Sequence, residues 1–279
     1  INSKPLVYDI GGSEGGFVKA ITESSRGDIR SVNLDPNPDM KKVHEKNPVE
    51  GSTFIQEAFY ESFEDDGVVY EKHIPKEKAD VVHESMVFQF ITPNRAEFIK
   101  EIKENYIKEN GIFLTEEKLI PETEKEWLAN ESIKNNYKSE YYSQDQLQQK
   151  SEEILVGMKK NQTLEVEYVE DLKNNFKHVV KYWDAGNFKG YAASDSKDII
   201  DNFIKNLGGK IEYNFSTKKS STAYAIIREP NLSFKSDDKT FLSYREALST
   251  GSDVEIGIET PSGFKSLITA PFNINPETQ

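Results

Sequence analysis

Cysteine is absent from the 279 residues of this chain. Without a thiol, the protein has no disulfide bond, no thiolate ligand for zinc and no cysteine nucleophile. The four histidines are scattered along the chain without the spacing of metal ligands, so we expect no metal site. Any chemistry must therefore come from carboxylates, hydroxyls, amides and histidines, or from a bound cofactor.

Positive charge is also scarce. Lysine and arginine total 35 against 48 aspartates and glutamates, which gives a formal net charge of -13. Because phosphate neutralisation dominates affinity for nucleic acids, this balance makes a DNA or RNA partner less expected; simple solubility is the other interpretation of the charge. No apolar run approaches the ~18–20 residues that a membrane span needs, and no signal peptide is found. We expect a cytoplasmic protein without a membrane segment.

The length suits one large α/β domain with additions, or two small domains. The first residue is Ile1 rather than methionine, and the first strand pattern begins at Leu6. This start is typical of a piece of a longer polypeptide, and equally of a trimmed recombinant chain. We expect the chain to be part of a larger polypeptide.

The first part of the chain alternates between strand and helix patterns. Five short apolar runs predict strands at 6–10, 29–34, 52–56, 79–83 and 112–115. Apolar residues at helical spacing predict a helix over 16–23, and a second one that opens at Pro93 and ends at Asn110-Gly111. The polar segment 59–78 predicts a loop. Repeated strand–helix–strand units favour a parallel sheet with helices on both faces.

A polar region, 119–193, interrupts this alternation. Ser143-x-x-Gln146 is typical of a capping box that opens a helix. Five apolar residues then follow one another at steps of three and four, which predicts an amphipathic helix: Val169, Leu172, Phe176, Val179 and Trp183. We therefore expect a helical insertion that forms a lid. In the alternative interpretation, 177–183 and 189–194 are the last two strands of the sheet.

After the insertion the α/β pattern returns. A helix capped at Asp195 or Ser196 precedes two strand patterns, 210–215 and 222–228, which predict a closing hairpin. With the five earlier strands, this hairpin completes a Rossmann-like, seven-stranded sheet over residues 1–229. A helix followed by a hairpin is a distinctive end for a doubly wound sheet.

The last part of the chain, 230–279, is polar, and we expect a small C-terminal appendage or linker module there. Residues 244–248 predict a short helix. Two strand patterns, 254–258 and 264–269, flank a turn-forming stretch, 260–263, and are expected to pair across it.

The segment with the most chemical information is DIGGSEGG at 9–16, which follows a strand and opens a helix. Glycines let the backbone turn sharply and approach a ligand, and a helix N-terminus offers free N–H groups to a polar or anionic ligand. Asp35 lies 24 residues after Gly11, at the end of the second strand. A carboxylate there can accept hydrogen bonds from both hydroxyls of a ribose.

Two ligand classes use such an arrangement. A dinucleotide-binding loop requires G-x-G-x-x-G, and Ser13 replaces the middle glycine that lets the pyrophosphate approach, which disfavours NAD. A methyltransferase loop has an acid at the strand end and then a relaxed G-x-G-x-G, which Asp9, Gly11, Ser13 and Gly15 match. A glycine-rich turn without a ligand is the third interpretation, and the register of the two acids with the glycines disfavours it.

With these motifs, the chain resembles the class I S-adenosylmethionine-dependent methyltransferase superfamily over residues 5–229. A local likeness to the enzymes that make carboxy-S-adenosylmethionine covers 85–93 (SMVFQFITP) and 111–118 (GIFLTEEK). The insertion after the fifth strand is shared in placement. The resemblance implies the seven-stranded sheet, S-adenosylmethionine as cofactor and methyl transfer as the reaction.

The resemblance also implies eight cofactor-binding residues: Asp9, Gly11, Ser13, Gly15, Asp35, Glu57, Glu84 and Ser85. Asp9 would lie near the methionine amino group, and the next three residues would line the methionine and the ribose. Asp35 would bind the ribose hydroxyls, and Glu57 would meet the adenine amino group. Glu84 and Ser85 would supply contacts beneath the sulfonium.

The chain departs from the carboxy-S-adenosylmethionine enzymes at one position. Those enzymes carry an arginine in the inserted helix that holds the extra carboxylate of their cofactor, and Ser151 aligns with it here. Lys150 is a weak substitute, because an ammonium is a point charge rather than a planar fork. Ordinary S-adenosylmethionine is therefore favoured over a carboxylated cofactor.

Methyl transfer is a direct displacement, for which the protein supplies alignment and exclusion of water. A general base is needed only where the acceptor arrives protonated. The catalytic candidates are His83 and Gln89 near the end of the fourth strand, with Glu84 beside them and His178 in the insertion. For both histidines, a structural role in the core is the alternative.

Six aromatic residues form either a lid over the substrate or the apolar seam of the insertion: Tyr141, Tyr142, Tyr182, Trp183, Phe188 and Tyr191. The lack of cysteine disfavours methyl transfer to C5 of cytosine, and no Asn/Asp-Pro-Pro-aromatic motif for amines of DNA bases is present. We predict a methyltransferase for a small-molecule or protein acceptor. The alternative is a degenerate methyltransferase fold that serves as a binding or scaffold domain of a multidomain protein.

Overall fold

The structure is a computed structural model, and it describes residues 4–65, 67–150 and 160–207 together with five later strands. Within these residues the strands are β1 (Leu6–Ile10), β2 (Arg30–Leu34), β3 (Ser52–Ile55), β4 (Phe63–Asp65), β5 (Val68–Tyr70), β6 (Ala79–Ser85), β7 (Ile107–Lys118), β8 (His178–Ala185), β9 (Phe188–Ser194), β10 (Ala225–Arg228), β11 (Ser233–Ser236), β12 (Lys239–Phe241), β13 (Val254–Thr260) and β14 (Gly263–Ala270).

The helices in the same residues are α1 (Gly16–Ser24), α2 (Pro38–Lys46), α3 (Ala96–Glu101), α4 (Glu124–Lys138), α5 (Gln144–Lys150), α6 (Glu165–Asn175) and α7 (Lys197–Asn206). A 3-10 turn spans Phe88–Phe90, and a π-helical turn, Ile102–Tyr106, continues α3. No helix in this described part is both long and apolar enough to cross a bilayer.

The main sheet is mixed and follows the strand order β10-β8-β9-β7-β6-β1-β2-β3. Strands β3, β2, β1, β6 and β7 are parallel, whereas β9 runs antiparallel to β7 and β8 antiparallel to β9. The predicted Rossmann-like, seven-stranded sheet is thereby confirmed, and β10 extends its edge by antiparallel pairing with β8. All five residues of β1 are buried, as expected for a strand that is covered on both faces.

The two faces of the sheet carry different helices, because neighbouring residues of a strand point to opposite sides. Phe113 belongs to a large core cluster that includes residues of α3, of the π-helical turn and of α6. Its neighbour Ile112 belongs to a second cluster, with Ile200 of α7. On that second face, Phe17 of α1 stacks on the ring of His83.

The last two strands of the core sheet correct one prediction. The helix predicted through Trp183 ends at Asn175, and the chain is already extended at Phe176. Strands β8 and β9 follow, so the helical insertion ends well before residue 193 and the alternative interpretation is correct. A strand buried on both faces carries a nearly continuous apolar run, and such a run matches helical spacing by chance. Of the predicted closing hairpin, 210–215 lies outside the described residues.

The helix after the fourth strand is shorter than predicted. It ends at Tyr106, and β7 begins directly afterwards, so Asn110 and Gly111 lie inside a strand rather than at a helix cap. Tertiary packing overrides the local capping pattern, because the Ser194 hydroxyl donates to the Gly111 carbonyl over 2.7 Å. The predicted loop 59–78 also contains the small β4–β5 hairpin.

Helix α2 was not predicted from its sequence. It is short and mostly polar, so the apolar spacing that would predict it is missing. The structure shows a local start pattern instead: Pro38 occupies the first turn, and the Asn37 side chain accepts from the Asp39 N–H over 2.9 Å. These are the two preferences of helix N-termini.

Two predicted helix starts are confirmed. The Ser143 N–H donates to Gln146 Oε1 over 2.9 Å, and the Gln146 N–H donates to Ser143 Oγ over 3.3 Å, which is the capping box. Helix α7 follows an N-cap at Ser196.

The pairing of the last two strand patterns is confirmed as β13–β14. These strands belong to a four-stranded antiparallel sheet of order β12-β11-β13-β14. The helix predicted at 244–248 lies outside the described residues, and the domain boundary at residue 229 stays a prediction.

Replacing Leu172 by alanine should destabilise the fold strongly. Leu172 lies in α6 with no exposed surface, within the larger core cluster, and truncation of such a leucine costs about 2–5 kcal/mol. Val166→Ala on the same helix is the matched control, because Val166 is 36% exposed and should cost about 0.5 kcal/mol or less. Urea unfolding of both variants measures the difference. Equal midpoints would contradict the packing of α6.

Candidate functional site

The polar residues of the candidate site lie at one edge of the sheet. The parallel strands β1, β2, β3 and β6 all end there, and residues that the sequence singled out lie at or just after the end of each strand. Ligands of open α/β sheets bind outside the carboxyl ends of the strands. The sequence-based candidates therefore meet at the position that this fold uses for ligands.

The loop after β1 has a backbone that few side chains tolerate. Gly11 and Gly15 have φ of 64° and 81°, in the left-handed region that favours glycine. A Cβ atom at Gly12 would lie 2.1 Å from Asp9 Oδ2. Gly15 occupies the N-cap of α1 and has no side chain with which to cap it, so the first N–H groups of α1 are left to other acceptors.

Asp35 ties the glycine loop to the end of β2. Its Oδ2 accepts from the Ser13 N–H over 3.0 Å and its Oδ1 from the Asn37 N–H over 2.9 Å. Burial raises the pKa of Asp35, and these two hydrogen bonds oppose that shift. A carboxylate has about four acceptor positions, so Asp35 can still receive hydroxyl groups. Ser13 is held at φ 52°, a conformation that the bond to Asp35 stabilises.

His83 lies between two carboxylates. Its Nδ1 is 2.7 Å from Asp9 Oδ1, its Nε2 is 2.9 Å from Glu116 Oε2, and its ring stacks on Phe17 with 3.9 Å between centroids. Burial alone would lower the pKa of His83, but the bonds to Asp9 and Glu116 raise it to about 10. His83 is therefore an imidazolium at neutral pH, with both nitrogens donating.

This arrangement bears on the predicted catalytic role of His83, which stays a prediction. An imidazolium has no free lone pair with which to accept a proton, so a general base at this position does not fit. The geometry agrees with the alternative, a hydrogen-bonded core residue at a strand end. His178 is likewise buried, and it lies on β8 rather than on a helix of the insertion.

The Glu84 side chain is buried at the end of β6. It follows His83 on β6 and therefore faces the opposite side of the sheet, where it has no exposed surface. Its Oε1 accepts from the Val87 N–H over 2.7 Å. Ser85, one residue later, is exposed at the strand end. The predicted contacts of Glu84 and Ser85 with the cofactor stay predictions.

Gln89 supports the turn that follows β6. Its side chain is buried, and its Nε2 donates to the Met86 carbonyl over 3.0 Å. Its Oε1 is buried without a hydrogen-bond partner among the residues that the structure describes. A buried acceptor of this kind carries an energetic cost unless something donates to it. Gln89 is therefore placed to receive a donor, and its catalytic role stays a prediction.

Glu57 pairs with a histidine that the sequence did not reveal. Glu57 Oε2 lies 2.6 Å from His73 Nδ1, and His73 Nε2 lies 3.3 Å from the Tyr8 hydroxyl. His73 orients the Glu57 carboxylate at the end of β3, and a contact of Glu57 with adenine stays a prediction. Because His73 lies in the polar segment 59–78, no pattern in the sequence indicated it.

Two further residues hold the site and were missed. The Asn33 side chain donates from Nδ2 to the Ser13 carbonyl over 2.7 Å, although Asn33 lies inside a buried strand. Glu116 holds His83 and also accepts from the Tyr182 hydroxyl. An asparagine within the apolar run of β2 was the available signal for the first, since buried polar residues need partners.

The six predicted lid aromatics do not form one cluster. Tyr141 and Tyr142 are 66% and 54% exposed, whereas Tyr191 is fully buried in the core. Tyr182 packs edge-on against Phe203 of α7. Neither the lid nor a single seam describes all six, because four of them lie on β8 and β9 rather than on helices.

A buried lysine attaches the insertion to the sheet. Lys118, at the end of β7, lies 3.0 Å from Glu131 of α4 and 4.7 Å above the Trp127 ring centroid. Burial lowers the pKa of Lys118 to about 8. Because α4 is otherwise mostly exposed, this contact fixes its position on the strand.

The His83 cluster predicts a pH dependence. The pKa of His83 in the folded state, about 10, lies above its ordinary value of 6.5. Its stabilising effect is therefore complete below about pH 6.5 and is lost as the pH rises towards 10, at up to about 1.4 kcal/mol per pH unit. Urea midpoints at several pH values should fall more steeply in the wild type than in His83→Gln. Equal slopes would contradict the paired imidazolium. The lowered pKa of Lys118 makes stability rise with pH, but Lys118 is present in both proteins, so its effect cancels in the comparison.

Comparison with known proteins gives two kinds of relative. No family model matches the chain. A carboxy-S-adenosyl-L-methionine synthase of Helicobacter pylori (strain G27) is 29% identical over 124 residues, which cover 44% of this chain and 47% of that protein. The enzyme of the same name from Campylobacter fetus subsp. fetus (strain 82-40) is 37% identical over 120 residues, 41% of this chain and 49% of that protein. The chain thus spans about half the length of these relatives.

Solved structures with a similar chain path include methyltransferases. A putative methyltransferase of Haloferax volcanii, in complex with the Trm112 methyltransferase activator, has a TM-score of 0.46 at 12% identity and covers 70% of this chain and 84% of its own. Human N-acetylserotonin methyltransferase has a TM-score of 0.44 at 15% identity, with 69% and 48% covered. At these scores the fold assignment rests on the strand order of the sheet. In that order, and in sequence over 124 residues, the chain resembles the class I S-adenosylmethionine-dependent methyltransferase superfamily.

Proposed function

We propose that the chain binds S-adenosylmethionine at the edge formed by the glycine loop and Asp35, and transfers its methyl group to a small-molecule or protein acceptor. The observation that carries this proposal is the bond from the Ser13 N–H to Asp35. It brings the glycine loop after β1 and the carboxylate after β2 together, as a nucleoside-binding edge requires.

The residues present fit this cofactor. The glycine loop packs too tightly against Val87, Asp9 and His44 to carry side chains, and the N-terminus of α1 presents backbone N–H groups. Asp35 keeps acceptor capacity for the ribose hydroxyls. Gly11, Ser13 and Gly15 would line the methionine and the ribose, and Glu57, oriented by His73, would accept from the adenine amino group.

The cofactor, when bound, supplies a methyl group activated by a positively charged sulfur. This chain's own residues would align the two reactants and exclude water, which is the main protein contribution to a direct displacement. Asp9 lies at the end of β1 with one oxygen bonded to the His83 imidazolium. We propose that this bond fixes the Asp9 carboxylate near the methionine amino group.

Binding of the sulfur ligands should depend on Asp35. We expect S-adenosylmethionine and S-adenosylhomocysteine to bind the wild type in calorimetric titrations, and NAD not to bind. Asp35→Ala should weaken binding by tenfold or more, since hydrogen bonds to a charged group contribute about 1.5–3 kcal/mol.

Asp39→Ala is the matched control, because Asp39 lies four residues further on and its side chain is 72% exposed. This variant should bind as the wild type does. Thermal unfolding checks that both variants are folded. If neither sulfur ligand binds the wild type, the enzyme hypothesis fails and the scaffold alternative takes its place.

The names of the curated relatives suggest a second cofactor. The chain is similar to carboxy-S-adenosyl-L-methionine synthases over about half their length. Against that activity stands Ser151, which aligns with the arginine that those enzymes use for the carboxylate and lies outside the described residues. We therefore favour the ordinary cofactor.

The choice between the two cofactors has a direct test. S-adenosylmethionine should bind more tightly than carboxy-S-adenosylmethionine, because no guanidinium at position 151 compensates the additional negative charge. Competition titrations of the two cofactors on the same protein measure the ratio. Tighter binding of the carboxylated cofactor would overturn this preference and favour the activity of the relatives.

A further inference from the structure

Two glutamates lie inside the protein, behind the turn that follows β6. Glu84 of β6 and Glu117 of β7 are both fully buried, and they accept from the consecutive backbone N–H groups of Val87 and Phe88. Two ionised carboxylates that share one small buried region repel each other strongly, because no water screens their charges. One of the pair must carry a proton.

The surroundings assign the proton to Glu84. Glu117 Oε2 accepts from Arg95 Nη2 over 3.1 Å, and neither side chain has exposed surface. This is the one ion pair that Glu117 makes among the described residues, and it favours the ionised form of Glu117.

Glu84 has no cation beside it in the described residues. Its Oε2 accepts from Thr115 Oγ1 over 2.5 Å, and Thr115 in turn lies 2.5 Å from the Tyr168 hydroxyl. Burial and the charge of Glu117 hold the pKa of Glu84 well above its ordinary value. Burial also raises the pKa of Glu117, but Arg95 opposes that rise.

Both carboxyl groups hold the same turn. The Val87 N–H donates to Glu84 over 2.7 Å, and the Phe88 N–H donates to Glu117 over 3.1 Å. The preceding residue, Met86, has φ of 61°, a conformation that a non-glycine residue keeps only when its surroundings impose it. The hydrogen bonds to the two carboxyl groups therefore help to hold Met86 in this conformation.

The turn in question borders the glycine loop. A Cβ atom at Gly11 would lie 2.5 Å from Val87 Cγ2, so Val87 covers Gly11 directly. On its other side the network reaches the insertion, because Tyr168 belongs to α6 and Arg95 Nη2 also donates to the Asn161 carbonyl over 3.0 Å. Insertion, acid pair and glycine loop are thus connected by direct contacts.

We propose that Glu84 and Glu117 are positioning residues that share one proton, and that this pair fixes the Met86–Phe90 turn against Gly11 and couples the insertion to the cofactor loop. The coupling to the cofactor rests on the proposed function. The shared proton and the fixed turn do not, because they concern the protein without ligand.

The test compares two isosteric variants at equally buried positions. In Glu84→Gln the amide oxygen still accepts, so amide hydrogen exchange of Val87 and Phe88 should stay as in the wild type. Glu117→Gln leaves the Arg95 guanidinium buried without its carboxylate, and exchange in the turn should become about a hundredfold faster. Equal effects of the two variants would overturn the assignment of the proton.

Infrared spectroscopy supplies a second measurement that a merely structural role would not affect. The wild type should show the band of a protonated carboxyl group at neutral pH, and Glu84→Gln should lose it. If the band is unchanged in Glu84→Gln, the proposal is wrong. This measurement also decides the question if Glu117→Gln does not fold.

Titration with S-adenosylhomocysteine tests the coupling. Glu117→Gln should weaken binding at least about fivefold, although Glu117 lies behind the turn. Unchanged affinity would overturn the coupling but leave the shared proton standing. If the wild type does not bind the ligand, the proposed function fails with the coupling, while the exchange and infrared results still decide the acid pair.

Discussion

The imidazolium of His83 holds three strands together at the edge where the candidate site lies. Its two nitrogens bind Asp9 of β1 and Glu116 of β7, on either side of its own strand β6. Two residues after Asp9 the glycine loop begins, so the position of that loop depends on this bridge. A buried charge is costly unless it is paired. Here one imidazolium pairs with two carboxylates, and this arrangement fixes the spacing of the three strand ends.

The next residue on the same strand repeats the arrangement on the opposite face. Glu84 follows His83 and is buried beneath the sheet, where α3 and α6 pack and where Glu117 pairs with Arg95. The turn after β6 therefore leaves a strand end that is held by buried polar groups from both sides. An apolar core would contribute more stability at this place. Natural proteins break such rules mainly at functional sites, which agrees with the location of the candidate site above this turn.

Local sequence patterns were sufficient to predict the strands in the first half of the sheet and the glycine loop. The run DIGGSEGG and Asp35 are close in sequence to the strands that position them, so spacing along the chain predicted their meeting in space. The directions of the Glu84 and His83 side chains were harder to predict. The two faces of a strand can be assigned only when the first residue of the strand is known without error. His73 reaches Glu57 from a polar segment without periodicity, and only the fold brings the two together.

The second half of the sheet was predicted less well for a related reason. Buried strands such as β8 lack the alternation of polar and apolar residues that distinguishes a strand from a helix. The stripe ending at Trp183 therefore matched both structures. Asn110 and Gly111 matched a helix cap, yet β7 runs through them, because its pairing with β6 on both sides of this irregular stretch is stronger than a local preference.

The insertion between β7 and β8 begins and ends on the same sheet, with β9 between its two ends. Its end points are therefore fixed by strands that do not depend on what lies between them. The entropy of closing a loop rises only slowly with its length, by about 0.6 kcal/mol for each doubling. The mostly exposed part of this segment that precedes α6 can lengthen, shorten or change sequence over evolutionary time, while α6 and the opposite half of the sheet, with β1, β2 and their loops, keep their geometry. The architecture thus separates the part of the molecule that is free to diversify from the part that is not.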